Sequence, residues 1–112
     1  MPLFLTRFGY TPETWAALIA DPHNRAEAVK PMLEKAGCTL KGFWFAFGEQ
    51  DGFALIEAPD ATTIAGVSVK ISASGAMRSF ETTELITADE MVEALRKAAD
   101  IEYHAPTEAV HA

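Results

Sequence analysis

Three short segments of this chain are apolar at consecutive positions rather than at alternate ones: Leu3-Phe4-Leu5, Phe43-Trp44-Phe45-Ala46-Phe47 and Phe53-Ala54-Leu55-Ile56. A strand with one wet face alternates apolar and polar residues, so runs of this kind predict a sheet covered on both faces. The chain has only 112 residues, enough for one hydrophobic core. Its own helices can cover one face of such a sheet. The other face then calls for a second molecule, and a self-complementary two-fold contact is the commonest way to cover it.

The remaining segments supply the helices. After the first strand, Leu3–Phe8, the run Thr11-Pro12-Glu13 offers an N-cap, a first-turn proline and an early acid, and Trp15, Leu18 and Ile19 share one stripe. Asp21-Pro22 repeats the start signal, and Val29, Met32, Leu33 and Ala36 recur at helical spacing before Gly37. Pro31 inside that pattern predicts a kink or the true start of the helix.

Thr39–Phe47 (TLKGFWFAF) and Phe53–Ala58 read as two strands joined through the Gly48–Gly52 turn. Asp60 caps a segment in which Ile64, Val67, Ser68 and Ile71 share a face up to Gly75, and Met77–Ile86 reads as a last strand. Thr87-x-x-Glu90 is a capping box before the stripe Met91, Ala94, Leu95 and Ala98. The order predicts an α+β, ferredoxin-like βαββαβ sandwich with a four-stranded antiparallel sheet plus a C-terminal helix. One domain is expected over residues 1–99, with residues 100–112 as a mobile tail without periodicity.

Composition narrows the function classes. Nine Lys+Arg against sixteen Asp+Glu give a net charge of −7, and the isoelectric point is near 4.8. The bases are scattered, so no nucleic-acid partner is expected. No segment is long and apolar enough to span a bilayer, and no basic leader precedes an apolar run, so no membrane partner is expected. Cys38 is the single cysteine and has no disulfide or metal-ligand companion, which points to a reducing, cytoplasmic setting and to no metal. Phosphate-cradling glycine loops are absent as well, so no cofactor is expected.

The stretch FGEQDGFALIEAPD, Phe47 to Asp60, resembles the signature of the GYD-domain family. The opening PLFLTRFGYTPE and the strand SFETTELIT stand where that family has its first and last strands, and the resemblance covers roughly Met1 to Ala98. Gln50 stands before Asp51 where the family name implies tyrosine. The resemblance implies a dimeric α/β barrel, in which two ferredoxin-like sheets face one another across a two-fold axis. It implies no reaction, because the family is of unknown function. A homodimer that encloses a small apolar ligand between its two sheets is the first functional expectation. The alternatives are a monooxygenase or isomerase of the dimeric α/β-barrel kind and a purely structural interaction module.

Few residues suggest chemistry, and each has a plainer role open to it. Asp51 is either a turn former that bonds nearby backbone N–H groups or a catalytic carboxylate. Glu57 stands in an apolar run, where partial burial raises a carboxylate's pKa and suits it to acid–base work, yet its strand-end place also fits a solvated group. Glu81 and Glu84 have opposite parity, so only one of them can face a given pocket. Trp44 and Phe45 are candidate ligand contacts or simply core and interface. His23 is expected at the surface, while His104 and His111 belong to the tail. Pro2 would become an N-terminal secondary amine on loss of Met1, the general base of small tautomerases, with Arg7 or Arg78 as the cationic partner.

Overall fold

The structure is a computed structural model and describes residues 1–107. Strand β1 (Leu3–Tyr10) leads to helices α1 (Pro12–Ala20) and α2 (Arg25–Lys35), strands β2 (Thr39–Phe45) and β3 (Gly52–Glu57), helix α3 (Ala61–Ala73), strand β4 (Met77–Leu85) and helix α4 (Ala88–Ala98). The four strands form one antiparallel sheet in the order β2-β3-β1-β4. This is the ferredoxin-like arrangement expected from the element order.

Caps place the helix starts. The Thr11 hydroxyl accepts from the Thr14 N–H at 3.2 Å, the Asp60 carboxylate accepts from the Thr63 N–H at 2.8 Å, and Thr87 and Glu90 bond one another reciprocally at 2.8 and 3.0 Å. Each satisfies a donor that the first helical turn leaves without a partner. The second helix starts elsewhere than Asp21-Pro22. Asp21 ends α1, its N–H bonding the Ala17 carbonyl at 3.0 Å, and Asn24 caps α2 by accepting from Glu27 N–H at 3.2 Å. Pro31 lies inside α2, beyond its first turn, so it marks no helix start.

Pairing register decides the faces. Phe4, Thr6, Phe8 and Tyr10 of β1 point to the helical side together with Ala54 and Ile56 of β3, and all six are buried. Leu3, Leu5 and Arg7 point to the opposite side with Phe53, Leu55 and Glu57. In β2 the register shifts between Leu40 and Gly42. That bulge reverses the parity of the strand residues beyond it. Leu40, Phe43 and Phe45 therefore share the helical face while Trp44 sits on the other, opposite Phe53.

The core gathers Phe4, Leu33, Cys38, Ala54, Ile56, Ala58, Ile64 and Val67 where α2 and α3 meet the sheet. Helix α1 buries no residue, although Tyr10 packs edge-on against Trp15 with ring centroids 5.2 Å apart. Helix α4 has every residue exposed, including Met91, Val92 and Leu95. The molecule measures 67 × 29 × 23 Å. Eight strand residues span only about 26 Å, so α4, which buries no residue, carries the long dimension away from the sheet. Among the described residues, no helix is long and apolar enough to cross a membrane.

Strand limits differ from expectation: β3 is displaced by one residue and β4 ends one residue early, at Leu85, while the ends of β1 and β2 move by two. β1 continues past Gly9 to Tyr10 through a register shift, and β2 stops at Phe45. The Ala46 N–H closes the hairpin on the Asp51 carbonyl at 2.8 Å, which leaves Phe47 fully exposed in the loop. Of the expected tail, residues 108–112, including His111, lie outside the described residues.

Candidate functional site

A cavity of about 530 Å3 lies between the sheet and the three helices that cover it. Phe8, Phe43, Leu33, Ile56, Val67 and Ile71 supply apolar wall, joined by Leu18 and Ala17 of α1. Its size falls within the range of small-molecule pockets. The cause is visible in the packing: α1 buries nothing, so the space beneath it stays open on the side of the aromatic residues.

The floor of the cavity is chemically quiet. Thr6, the one buried polar residue among the described residues, has its hydroxyl 3.2 Å from that of Thr82, which lies 3.3 Å from the Ser68 hydroxyl; Ser68 donates to the Ile64 carbonyl at 2.9 Å. On the wall, Thr14 donates its hydroxyl to the Ala76 carbonyl at 2.8 Å. Among the described residues, no buried side-chain N or O lacks a partner.

Polar character converges instead where β1 ends and α2 begins. Tyr10 is 4% exposed, and burial raises the pKa of its phenol above the usual value, against the opposing pull of the adjacent Arg25 guanidinium. The phenol is therefore neutral at physiological pH. Arg25 is half-buried at the first position of α2, and its Nη1 donates to His23 Nε2 at 2.9 Å. His23 Nδ1 lies 2.8 Å from the Asp21 carbonyl oxygen. Only the neutral tautomer with its proton on Nδ1 satisfies both contacts, since Nε2 must accept from the arginine. Tyr10, His23 and Arg25 all line the cavity.

The residues singled out in the sequence lie mostly elsewhere. Asp51 accepts from the Tyr10 N–H at 2.8 Å and lies 3.4 Å from the Arg78 guanidinium. Arg78 in turn donates to the Glu49 carbonyl at 3.0 Å, and Gln50, which stands where the family name implies tyrosine, accepts from Ser79 at 3.3 Å. These contacts clasp the β2–β3 loop onto β1 and β4, the backbone-binding role open to a turn aspartate.

Glu57 lies half-exposed on the helix-free face, opposite Leu3 and Thr39. Glu81 shares that face and is 3.8 Å from Arg7, which also donates to the Thr83 hydroxyl at 3.0 Å; Glu84 opposes Phe4 on the helical side. Trp44 lies over Gly42 on the helix-free face, where an added Cβ at Gly42 would stand 2.2 Å from its ring. Phe45 belongs to the helical side, in an aromatic cluster with Phe8, Tyr10, Trp15 and Phe43 at centroid distances of 5.4 to 6.4 Å.

The tautomerase reading finds no geometry. Arg7 is five strand positions from Pro2, about 16 Å along the chain, and Arg78 belongs to the Asp51 clasp. Cys38 is buried, and burial raises its thiol pKa. Among the described residues, no group of three His, Cys, Asp or Glu side chains could hold a metal ion.

Sequence reasoning passes over Tyr10, Arg25 and the His23 contact. Tyr10 carries a readable signal, because it continues the parity of Phe4, Thr6 and Phe8, but Gly9 reads as the end of the strand. Arg25 carries none when the helix is expected to begin at Asp21-Pro22.

Comparison with known proteins gives a family. One solved structure, described as the crystal structure of FFRP-DM1, is similar over 77% of this chain and 100% of its own, at 15% identity and a TM-score of 0.49. No curated protein matches the sequence. The sequence pattern of the GYD domain matches residues 4–95. That span runs from β1 into the last turn of α4, and the chain accordingly belongs to the GYD domain family.

Proposed function

We propose that this chain is a small-molecule-binding domain and that its ligand occupies the cavity between sheet and helices. The observation that carries this reading is the apolar cavity of about 530 Å3 with its polar groups gathered at one place. Close-packed protein interiors have few voids larger than a water molecule, so a space this large is a feature to be accounted for. The site differs from the one expected between two facing sheets, because it lies on the helical side of a single chain. 1-Octanol serves as a first probe: binding to the native state alone raises the melting temperature, and about 100-fold excess over Kd stabilises by about 2.7 kcal/mol. Ile71→Phe, which fills the cavity from α3, should abolish the shift. An unshifted melting temperature in the unaltered protein would refute the reading.

The domain works as a homodimer in this proposal. Among the described residues, Leu3, Leu5, Phe53, Leu55 and Trp44 form an apolar face with no helix over it, and the α4 stripe of Met91, Ala94 and Leu95 is exposed. Four strands of six to nine residues present roughly 19 × 25 Å, less than the ~800 Å2 per partner of a standard interface. The α4 stripe is placed to supply the difference by packing on a second copy. Glu57 and Trp44 then belong to the subunit contact, outside the ligand cavity. Light scattering should give about twice the 12.1 kDa chain mass, and a monomer at every concentration would exclude the arrangement. The buried Cys38 thiol supports a cytoplasmic setting.

A further inference from the structure

We infer that the cavity selects amphipathic monocarboxylates, with the carboxylate held by Arg25 and the Tyr10 hydroxyl and the hydrocarbon body lying along Phe8, Phe43 and Ile71. This rests on the cavity being a ligand site and adds the chemistry of the ligand.

The first argument is an unbalanced charge. Among the described residues no carboxylate pairs with Arg25; its contacts are His23, which accepts from it, and the neutral Tyr10 phenol. A half-buried guanidinium without a counter-ion beside an apolar space is a built receptor for an anion, because the body of the ligand is desolvated by the same wall that leaves the charge poorly hydrated. The other charged groups on the lining are Lys70, a second cation, and Asp21. The Asp21 side chain is 88% exposed, and its carboxylate lies 3.9 Å from His23 Nδ1 rather than against the guanidinium.

The second argument is donor geometry. The proton arrangement around His23 commits Nε2 to accepting from Arg25, so the ring fixes the guanidinium without neutralising it. The Arg25 guanidinium stands near enough to pull against the rise in the phenol's pKa, and the neutral phenol keeps an O–H proton to donate to an acceptor in the cavity. One cation and one neutral donor side by side suit the two oxygens of a carboxylate. A second anionic group would find only Lys70, which is exposed on α3. The aliphatic and aromatic wall accounts for the rest of the ligand.

The test compares octanoate, 1-octanol and octylamine, which share a hydrocarbon body and differ in the head, by isothermal titration at pH 7.5 with the full chain. Octanoate should bind at least tenfold more tightly than octanol, and octylamine more weakly than either. Arg25→Gln should remove the octanoate advantage by lowering octanoate affinity far more than octanol affinity, with thermal unfolding confirming that the variant is folded. Arg25→Lys should restore part of the preference, and Tyr10→Phe should reduce it without abolishing it. Equal binding of octanoate and octanol to the unaltered protein would overturn the carboxylate assignment while the cavity stands as a ligand site. An octanoate advantage that survives Arg25→Gln would overturn the role of Arg25. Failure of all three probes to bind would remove the ligand site itself and this inference with it.

Discussion

Replacing Gly52 with alanine places a methyl group where the Phe8 ring now lies. An ideal Cβ on Gly52 would stand 2.3 Å from Phe8 Cζ and 2.7 Å from Cε2, whereas carbon atoms in contact prefer about 3.5–4.0 Å. The ring edge must therefore withdraw by more than 1 Å, by roughly the difference between those separations. Phe8 is 3% exposed and wedged between Tyr10 and Phe43 at centroid distances of 5.3 and 5.5 Å, so it cannot move freely. Overpacking of this kind costs about 1–3 kcal/mol. Loss of glycine's unfolded-state freedom returns about 0.4–1 kcal/mol, since Gly52 has no positive φ to forbid the change. The cavity beside Phe8 lets the ring give way on one side, which keeps the net near 1–2 kcal/mol, a fall of about 4–8 °C in melting temperature per kcal/mol for a domain of this size. Urea unfolding at unchanged m measures it, with Gly48→Ala as control, because a Cβ there meets nothing within 4 Å. Octanol affinity should fall as well, since the displaced ring narrows the cavity. Equal stability of the two variants would show that the Phe8 ring is not held against Gly52.

Leu33 is 2% exposed at the centre of the core, so Leu33→Ala should cost about 2–5 kcal/mol in the same assay; a loss below 1 kcal/mol would mean that α2 does not pack as described. The Asp60 carboxylate, held below the usual range by the Thr63 N–H, contributes to stability above its unfolded pKa of about 3.9, and that contribution is lost as pH falls through the depressed folded value. Carbon-detected NMR titration should place Asp60 below an unstructured reference aspartate, and an ordinary midpoint would remove the cap. Truncation before Glu102 should leave the unfolding free energy within about 1 kcal/mol, because residues 101–105 are in neither helix nor strand; a larger loss would show that the segment docks.

Much of this fold is written in short-range signals. Thr11, Asp60 and the Thr87–Glu90 pair each act on N–H groups within three residues of themselves, so helix starts at those places come from local chemistry alone. The GEQDG turn between two apolar runs marks a hairpin for the same reason, whereas the consecutive apolar residues Leu3-Phe4-Leu5 leave the two faces of β1 to be sorted by its pairing with β3. Where two local signals compete, the sequence is less decisive. Asp21-Pro22 and Asn24 both look like helix starts, and the tertiary structure selects Asn24, which lets Asp21 close α1 and brings Arg25 to Tyr10.

What only the tertiary structure decided depends on partners far apart in the chain. The bulge at Lys41 answers to the β3 register, and it alone sends Phe45 to the helical side and Trp44 to the other, which continuous apolar sequence could not distinguish. Asp51 became a clasp through Tyr10 and Arg78, 41 and 27 positions away. The cavity exists because α1 fails to close over a wall drawn from β1, β2, α2 and α3. A helix stripe states that a face must be covered, but the geometry of the packed chain decides by what; among the described residues nothing buries the α4 stripe, since β4 carries it beyond the sheet.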